Sequence, residues 1–289
     1  MLKYRLLFGT IMTGIFVGLT LVDGRLDGSI SHQLPNQPVQ ATLFTILIAL
    51  LAFPVQSELG NLIKKSGGHL FKSVTLPASI VFATSFYWFQ MGAASELRYI
   101  ILTSLLVPAF SFLALFAVQA FKFGTAGTIR NVSAGFFSIM YLGFLCAFIV
   151  AIRIMWGPWL LLTFIFTVKG SDIGAYTLGM LFGKHKMCPK ISPGKTWEGL
   201  AGATLFGILV SLGFSYFCDI MPFLQAVGFG AVFGILGQLG DLIESMIKRD
   251  ALQKDSSSRI PGFGGLLDIV DSLLATAPAA FLFFYFTLN

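Results

Sequence analysis

From Asn131 to Ile152 the chain reads NVSAGFFSIMYLGFLCAFIVAI, and after Arg153 it resumes as IMWGPWLLLTFIFTV from Ile154 to Val168. Neither run carries a charge. At 1.5 Å per residue the first is about 33 Å long as a helix, enough to cross the hydrocarbon of a bilayer. The same kind of run recurs at Leu6–Val22, Gly28–Ser57, Ser73–Ser95, Tyr99–Phe121, Gly199–Cys218, Ile220–Gly240 and Ser272–Asn289. In the second, the polar stretch Ser29–Gln40 with Pro35 and Pro38 leaves only Val39 onward to enter lipid. The expectation is an all-α polytopic membrane protein with about nine transmembrane helices. The first run lacks a small-residue cleavage site and reads as a retained helix.

Composition agrees. The 289 residues are 56% hydrophobic and 11% charged with a mean hydropathy of +0.83, well outside ordinary globular usage. Cys146, Cys188 and Cys218 are far apart and form no C-x-x-C pair, which argues against a disulfide framework or a zinc site. His32, His69 and His185 fall on different loops, and a histidine metal site is not expected.

The net charge of +6 is explained by where it falls. With the N-terminus in the cytoplasm, alternate loops put Lys3, Arg5, Lys64, Lys65, Lys72, Lys122, Arg130 and the basic residues of 184–195 and 248–259 inside. The outer side receives only Arg25, Arg98 and Arg153. This is the positive-inside pattern, with the C-terminus outside. The basic residues are spread over short loops without aromatic interleaving, so no nucleic-acid partner is expected.

Charge divides the chain at about residue 130. Residues 1–130 read as N-terminal transmembrane helices. Residues 131–289 read as a catalytic transmembrane domain with two basic cytoplasmic loops. Lys169 and Asp172 sit three apart in the sixth hydrophobic segment, just past its charge-free run and on one helical face, where ionisable groups are costly and by default functional. Counting from Arg153 puts Asp172 about 28 Å across, and counting from Ile220 puts Asp241 about 31 Å across. Asp241 and Glu244 close the eighth run; Asp268 and Asp271 open the ninth from the same side. Five carboxylates at one level suit Mg2+ or Mn2+, whose shell is completed by phosphate oxygens and water. Lys184, His185, Lys186, Lys190 and Lys195 in one loop, with Lys248, Arg249, Lys254 and Arg259 in the other, offer donors to phosphate. So do the hydroxyls of Ser256–Ser258.

PKISPGKT at Pro189–Thr196 ends like a phosphate-binding P-loop, but Pro189 replaces the first glycine and no strand is expected before it. Pro261–Gly265 is no dinucleotide fingerprint. Its glycines allow close backbone approach to a phosphate.

Two blocks carry a resemblance. Ser245–Asp271, SMIKRDALQKDSSSRIPGFGGLLDIVD, resembles the signature of phosphatidate cytidylyltransferase, and Asp172–Gly199, with DIGAY, FGKHK and ISPGKTWEG, is similar to a second block of that family. The resemblance implies transfer of a cytidylyl group from CTP to phosphatidic acid in the inner leaflet. It also implies Mg2+, as one ion or two, and a homodimer in a bacterial-type inner (plasma) membrane with its active site facing the cytoplasm. It assigns catalytic roles to Asp172, Lys195, Asp241, Lys254, Asp268 and Asp271, with Asp241, Asp268 and Asp271 at the metal. On the residues and the resemblance together, substrate binding is expected at Lys169, Lys190, Ser192, Lys248, Arg249, Ser256, Ser257, Arg259, Gly264 and Gly265. Phe263 stands where the signature usually has His, and Ile269 where it usually has Arg. The rival readings are a CTP-dependent lipid kinase of the polyprenol or phytol type and a transporter. The latter predicts paired repeats and charges near the midplane, and the sequence shows no repeat.

Overall fold

The computed structural model describes residues 2–31, 37–91, 102–257 and 264–288. His32 and Arg98 lie outside them. The chain is an all-α polytopic membrane protein. Its helices are α1 (Leu2–Leu26), α2 (Thr42–Lys65), α3 (Lys72–Ala83), α4 (Ser85–Phe89), α5 (Val107–Phe123), α6 (Thr128–Ser138), α7 (Leu145–Phe182), α8 (Trp197–Cys218), α9 (Phe223–Asp250) and α10 (Leu267–Leu288). Wider π-helical turns at Leu102–Leu106 and Ile139–Phe144 lead into α5 and α7.

Among the described residues, seven helical stretches are long and apolar enough to cross a membrane. The expected nine runs map onto them unevenly. The fifth and sixth join in one 55-residue stretch, Thr128–Phe182. The third corresponds to α3, only 12 residues long, followed after Thr84 by the short α4. No loop separates the fifth run from the sixth at Arg153. The helix continues past it and breaks at Gly157, whose φ of 81° is open to glycine, just before Pro158. A count of depth from Arg153 therefore runs through a break. For α9 the count starts at Phe223 and puts Asp241 about 27 Å along the helix.

The chain packs as two compact units, Met1–Met155 with Asp250–Ile269, and Trp156–Arg249 with Val270–Asn289. In the first, Phe71, Phe82, Leu115, Val132 and Ile139 form a buried apolar cluster. A chain of amides closes the neighbouring turns: Asn131 Oδ1 accepts from the His69 amide at 2.9 Å, and Asn131 Nδ2 donates to Gln119 Oε1 at 2.9 Å. Gln119 Nε2 in turn donates to the carbonyls of Gly124 and Ala126.

Arg153 is fully buried and not, as its place between two apolar runs suggests, a loop charge. Its Nη2 reaches Asp23 at 2.7 Å and Asp27 at 2.9 Å, and its Nη1 donates to the Ser29 hydroxyl at 3.0 Å. Asp23 also caps the start of α2, accepting from the Leu43 amide at 2.8 Å, while Asp27 accepts from the Ala41 amide at 2.8 Å. Burial pushes the Asp27 carboxyl up, but hydrogen bonds from Ser29 and Ala41 and the Arg153 charge outweigh it and hold the group below the usual carboxylate range.

In the second unit small residues let the helices touch. A Cβ at Gly174 of α7 would overlap the Gly202 carbonyl of α8, and one at Gly240 of α9 would lie 2.9 Å from the Ser272 Cα of α10. Small-residue contacts of this kind are how apolar helices associate in lipid, where burial of oily surface gives no preference. Phe229, Phe233, Phe283 and Phe284 fill the layer further along α9 and α10, with the Phe229 and Phe284 rings stacked at 5.0 Å.

Candidate functional site

Residues 186–196 fold as a two-stranded antiparallel ribbon, β1 (Lys186–Cys188) and β2 (Ser192–Thr196), against an expectation that no strand precedes PKISPGKT. The P-loop is excluded on other grounds. Pro193, Gly194 and Lys195 lie in a strand and not in a phosphate-wrapping loop, and Thr196 serves as the N-cap of α8, its hydroxyl accepting from the Gly199 amide at 3.0 Å. The ribbon is tied to α8 by Glu198, which accepts from the His185 amide and pairs with His185 Nδ1 at 2.6 Å.

The ribbon aims Lys195 at α9. Its ammonium donates to the Gln238 carbonyl at 2.7 Å and to Asp241 Oδ2 at 3.1 Å. Gln238 faces the other way with its side chain, donating from Nε2 to Asp172 Oδ1 at 3.0 Å. Asp172 Oδ2 meets Lys169 at 3.5 Å. The Lys169 ammonium donates to the Ser272 hydroxyl at 2.7 Å and lies 3.9 Å from Asp271 Oδ1. The second unit thus brings Lys169, Asp172, Lys195, Asp241 and Asp271 into one polar chain, with cations and carboxylates alternating. Asp172 and Asp241 keep about a quarter of their side-chain surface exposed, at 28% and 27%, whereas Asp271 keeps 4%. The chain is therefore partly accessible at Asp172 and Asp241 and closed at Asp271.

Other expected residues are placed nearby in the same unit with different partners. Lys248 pairs with Glu244 one turn back on α9, and Arg249 Nε donates to the Ile191 carbonyl at 3.3 Å. Ser192 is half-buried at the start of β2, and Lys190 is exposed on the turn before it.

The first unit holds the remaining signature residues. Asp268 Oδ2 accepts from the Ser256 hydroxyl at 2.7 Å, the Gly265 amide at 2.7 Å and the Ser256 amide at 3.0 Å. Gly264 has φ 91°, and a Cβ there would stand 2.7 Å from Asp268 Oδ2, so the turn requires glycine. Ser257 donates to Glu58 at 3.0 Å; Lys254 is exposed. Arg259 and Phe263, with Ser258, lie outside the described residues.

Sequence reasoning misses Gln238, Ser272 and Glu58. The first two are uncharged residues in apolar helices and carry no signal of their own. Glu58 does carry one, as an acid directly after a charge-free run, but in that place it reads as no more than a run boundary.

Among the described residues no three His, Cys, Asp or Glu side chains form a ready-made metal cage. The donor set nevertheless fits a divalent cation that draws most of its ligands from substrate and water. Asp271 Oδ1 is buried and accepts no hydrogen bond among the described residues, the situation a hard cation relieves.

The chain is 37% identical over 189 residues to the uncharacterized protein YnbB of Escherichia coli (strain K12), a match spanning 63% of this chain and 62% of that protein. It is 43% identical over 116 residues to a phosphatidate cytidylyltransferase of Mycobacterium bovis, spanning 40% of this chain and 38% of that protein. These matches span less than two thirds of either relative. Phosphatidate cytidylyltransferase of Bacillus subtilis (strain 168) is 29% identical across 99% of this chain and 97% of its own length. A family model described as the cytidylyltransferase family matches residues 3–287. The chain belongs to the cytidylyltransferase family.

Proposed function

We propose that the protein transfers the cytidylyl group of CTP to phosphatidic acid, forming CDP-diacylglycerol and pyrophosphate. The observation that carries the reading is the partly accessible chain of alternating lysines and carboxylates in the second unit, in a family whose relatives include proteins named phosphatidate cytidylyltransferase. Phosphate chemistry in a membrane needs fixed positive charge to hold phosphates and carboxylates to hold a cation, and this unit supplies both.

In the proposed reaction a phosphate oxygen of phosphatidate attacks the α-phosphorus of CTP. The new O–P bond forms as the bond from the α-phosphorus to the oxygen bridging it to the β-phosphorus breaks, and that oxygen leaves with pyrophosphate. No strong general base is required, because a phosphate monoester with a second pKa of about 6 is largely ionised near neutrality. Lys195, held by Asp241 and the Gln238 carbonyl, is placed to meet a phosphate without searching rotamers, and Lys169 is held likewise by Ser272 and Asp172. Catalysis is then mainly positioning and electrostatic complementarity. Within the second unit Asp241 and Asp271 would hold Mg2+. When bound, the ion supplies positive charge to the triphosphate and the departing pyrophosphate. Lys248 and Arg249 of the same unit complete the proposed phosphate contacts there.

The placement of Lys and Arg supports a cytoplasmic N-terminus and a cytoplasmic active site in a bacterial-type inner membrane. A homodimer belongs to the same reading. The test is detergent-purified protein with phosphatidic acid, CTP and Mg2+, following pyrophosphate and labelled CDP-lipid, with a lipid alcohol in a parallel reaction. Metal-dependent CDP-lipid formation is the expected result. Lipid phosphate and CDP from the alcohol alone would replace the reading with a lipid kinase.

A further inference from the structure

Glu58 lies in α2, near the end of a membrane-spanning helix, and is 1% exposed. An acid there is costly, and among the described residues no Lys or Arg pairs with it. Its bonds go to the signature segment instead. Ser257 Oγ donates to Oε1 at 3.0 Å, and the Leu267 amide donates to Oε2 at 2.9 Å. Ser256 Oγ stands 3.2 Å from Oε2, but a hydroxyl has one proton, and its shorter contact, 2.7 Å to Asp268, takes it. A Cβ on Gly265 would overlap both the Glu58 carboxylate and the Ser256 hydroxyl.

One carboxylate therefore tethers the segment on both sides of residues 258–263, at Ser257 before them and Leu267 after them. The same tethers fix Ser256 and Gly265, the donors that orient Asp268. We infer that Glu58 is a positioning residue for the proposed cytidylyl transfer, clamping Ser257 and Leu267 so that Ser256 and Gly265 hold Asp268 in one orientation. A glutamine cannot replace it. A carboxamide offers one acceptor oxygen, so one of the two donors would face its NH2 group.

The test compares full-length wild type, Glu58→Gln and Glu58→Asp in detergent by amide hydrogen exchange and by steady-state kinetics. In Glu58→Gln, exchange at peptides covering 256–267 rises about tenfold while peptides from the first half of α2 stay as in wild type. The kcat/KM for CTP falls about 10- to 100-fold, with a rise in KM that a mere loss of folded protein would not produce. Glu58→Asp, which keeps the charge but is one methylene short, lies between, and carries the same comparison if the glutamine variant does not accumulate. Wild-type exchange and kinetics in both variants would overturn the inference. So would exchange that rises along the whole of α2, which marks a helix-packing role. The kinetic arm rests on the proposed reaction and the exchange arm does not. If wild type forms no CDP-lipid the reaction is wrong, and exchange alone decides the clamp.

Discussion

Lys195 and Asp241, 46 residues apart, meet at 3.1 Å because a short ribbon turns the lysine toward the far end of a helix that delivers the aspartate. Gln238 sits one turn before Asp241 and holds Lys195 by its carbonyl and Asp172 by its side chain. Position and charge of the lysine are therefore set together.

Replacing Lys195 by methionine keeps most of the side chain's volume and removes the ammonium. CDP-lipid formation is expected to fall about 10²- to 10³-fold, the usual loss when one fixed donor to a developing charge is removed. Asp241→Asn should fall by a similar factor. Full activity in both folded variants would remove this pair from the reaction.

Asp271 and Asp172 should respond differently to Mg2+. Asp172 already has Gln238 on one oxygen and Lys169 on the other, whereas Asp271 Oδ1 is buried and accepts no hydrogen bond among the described residues. Asp271→Asn is expected to raise the Mg2+ concentration for half-maximal rate tenfold or more, roughly the effect of disturbing a metal's protein environment. Asp172→Asn should lower the rate with a smaller shift in that concentration. Chelation by EDTA should abolish turnover in wild type, and added Mg2+ should restore it. Equal Mg2+ curves for all three proteins would place the cation elsewhere.

Arg153 is expected to matter for stability and not for chemistry. Arg153→Met leaves Asp23 and Asp27 buried without their cation, at a cost of about 3–5 kcal/mol. Changing all three together, Asp23→Asn, Asp27→Asn and Arg153→Met, should recover most of that loss, because an uncharged cluster leaves no unpaired charge. Thermal unfolding in detergent checks the order: wild type and triple variant above the single variant.

Asp27 also carries a pH signature. Its carboxyl is held below the usual range, so its contribution is complete above that range and is lost as pH falls through the folded value. The stability difference between wild type and Asp27→Asn should be largest near neutrality and shrink with acidification. A difference that grows on acidification would reverse the assigned sign.

Charge in an apolar run is the strongest signal a membrane sequence can carry, because lipid penalises it and chance seldom leaves it there. Charges paired three residues apart at the end of such a run carry the same signal, which is why Lys169 with Asp172, Asp241 with Glu244 and Asp268 with Asp271 stand out in the linear chain. The role of Lys195 follows from the resemblance. The same logic misfires at boundaries. Arg153 ends a charge-free run and reads as a loop charge, and Glu58 reads as no more than a run boundary, yet both are buried, because their partners lie 130 and 209 residues away at the furthest.

Sequence by itself determined that this chain is a helical membrane protein and which acids and lysines are candidates for phosphate chemistry. Those properties depend on composition and on spacing within a turn or a span, which a linear reading captures. Only the tertiary structure decided which acid each lysine faces, that Gln238 and Ser272 join them, and that one carboxylate in α2 ties both ends of a segment some two hundred residues on. Hydrogen bonds depend on angles and on fractions of an ångström between groups far apart in the chain, and nothing in a local pattern of residues encodes that.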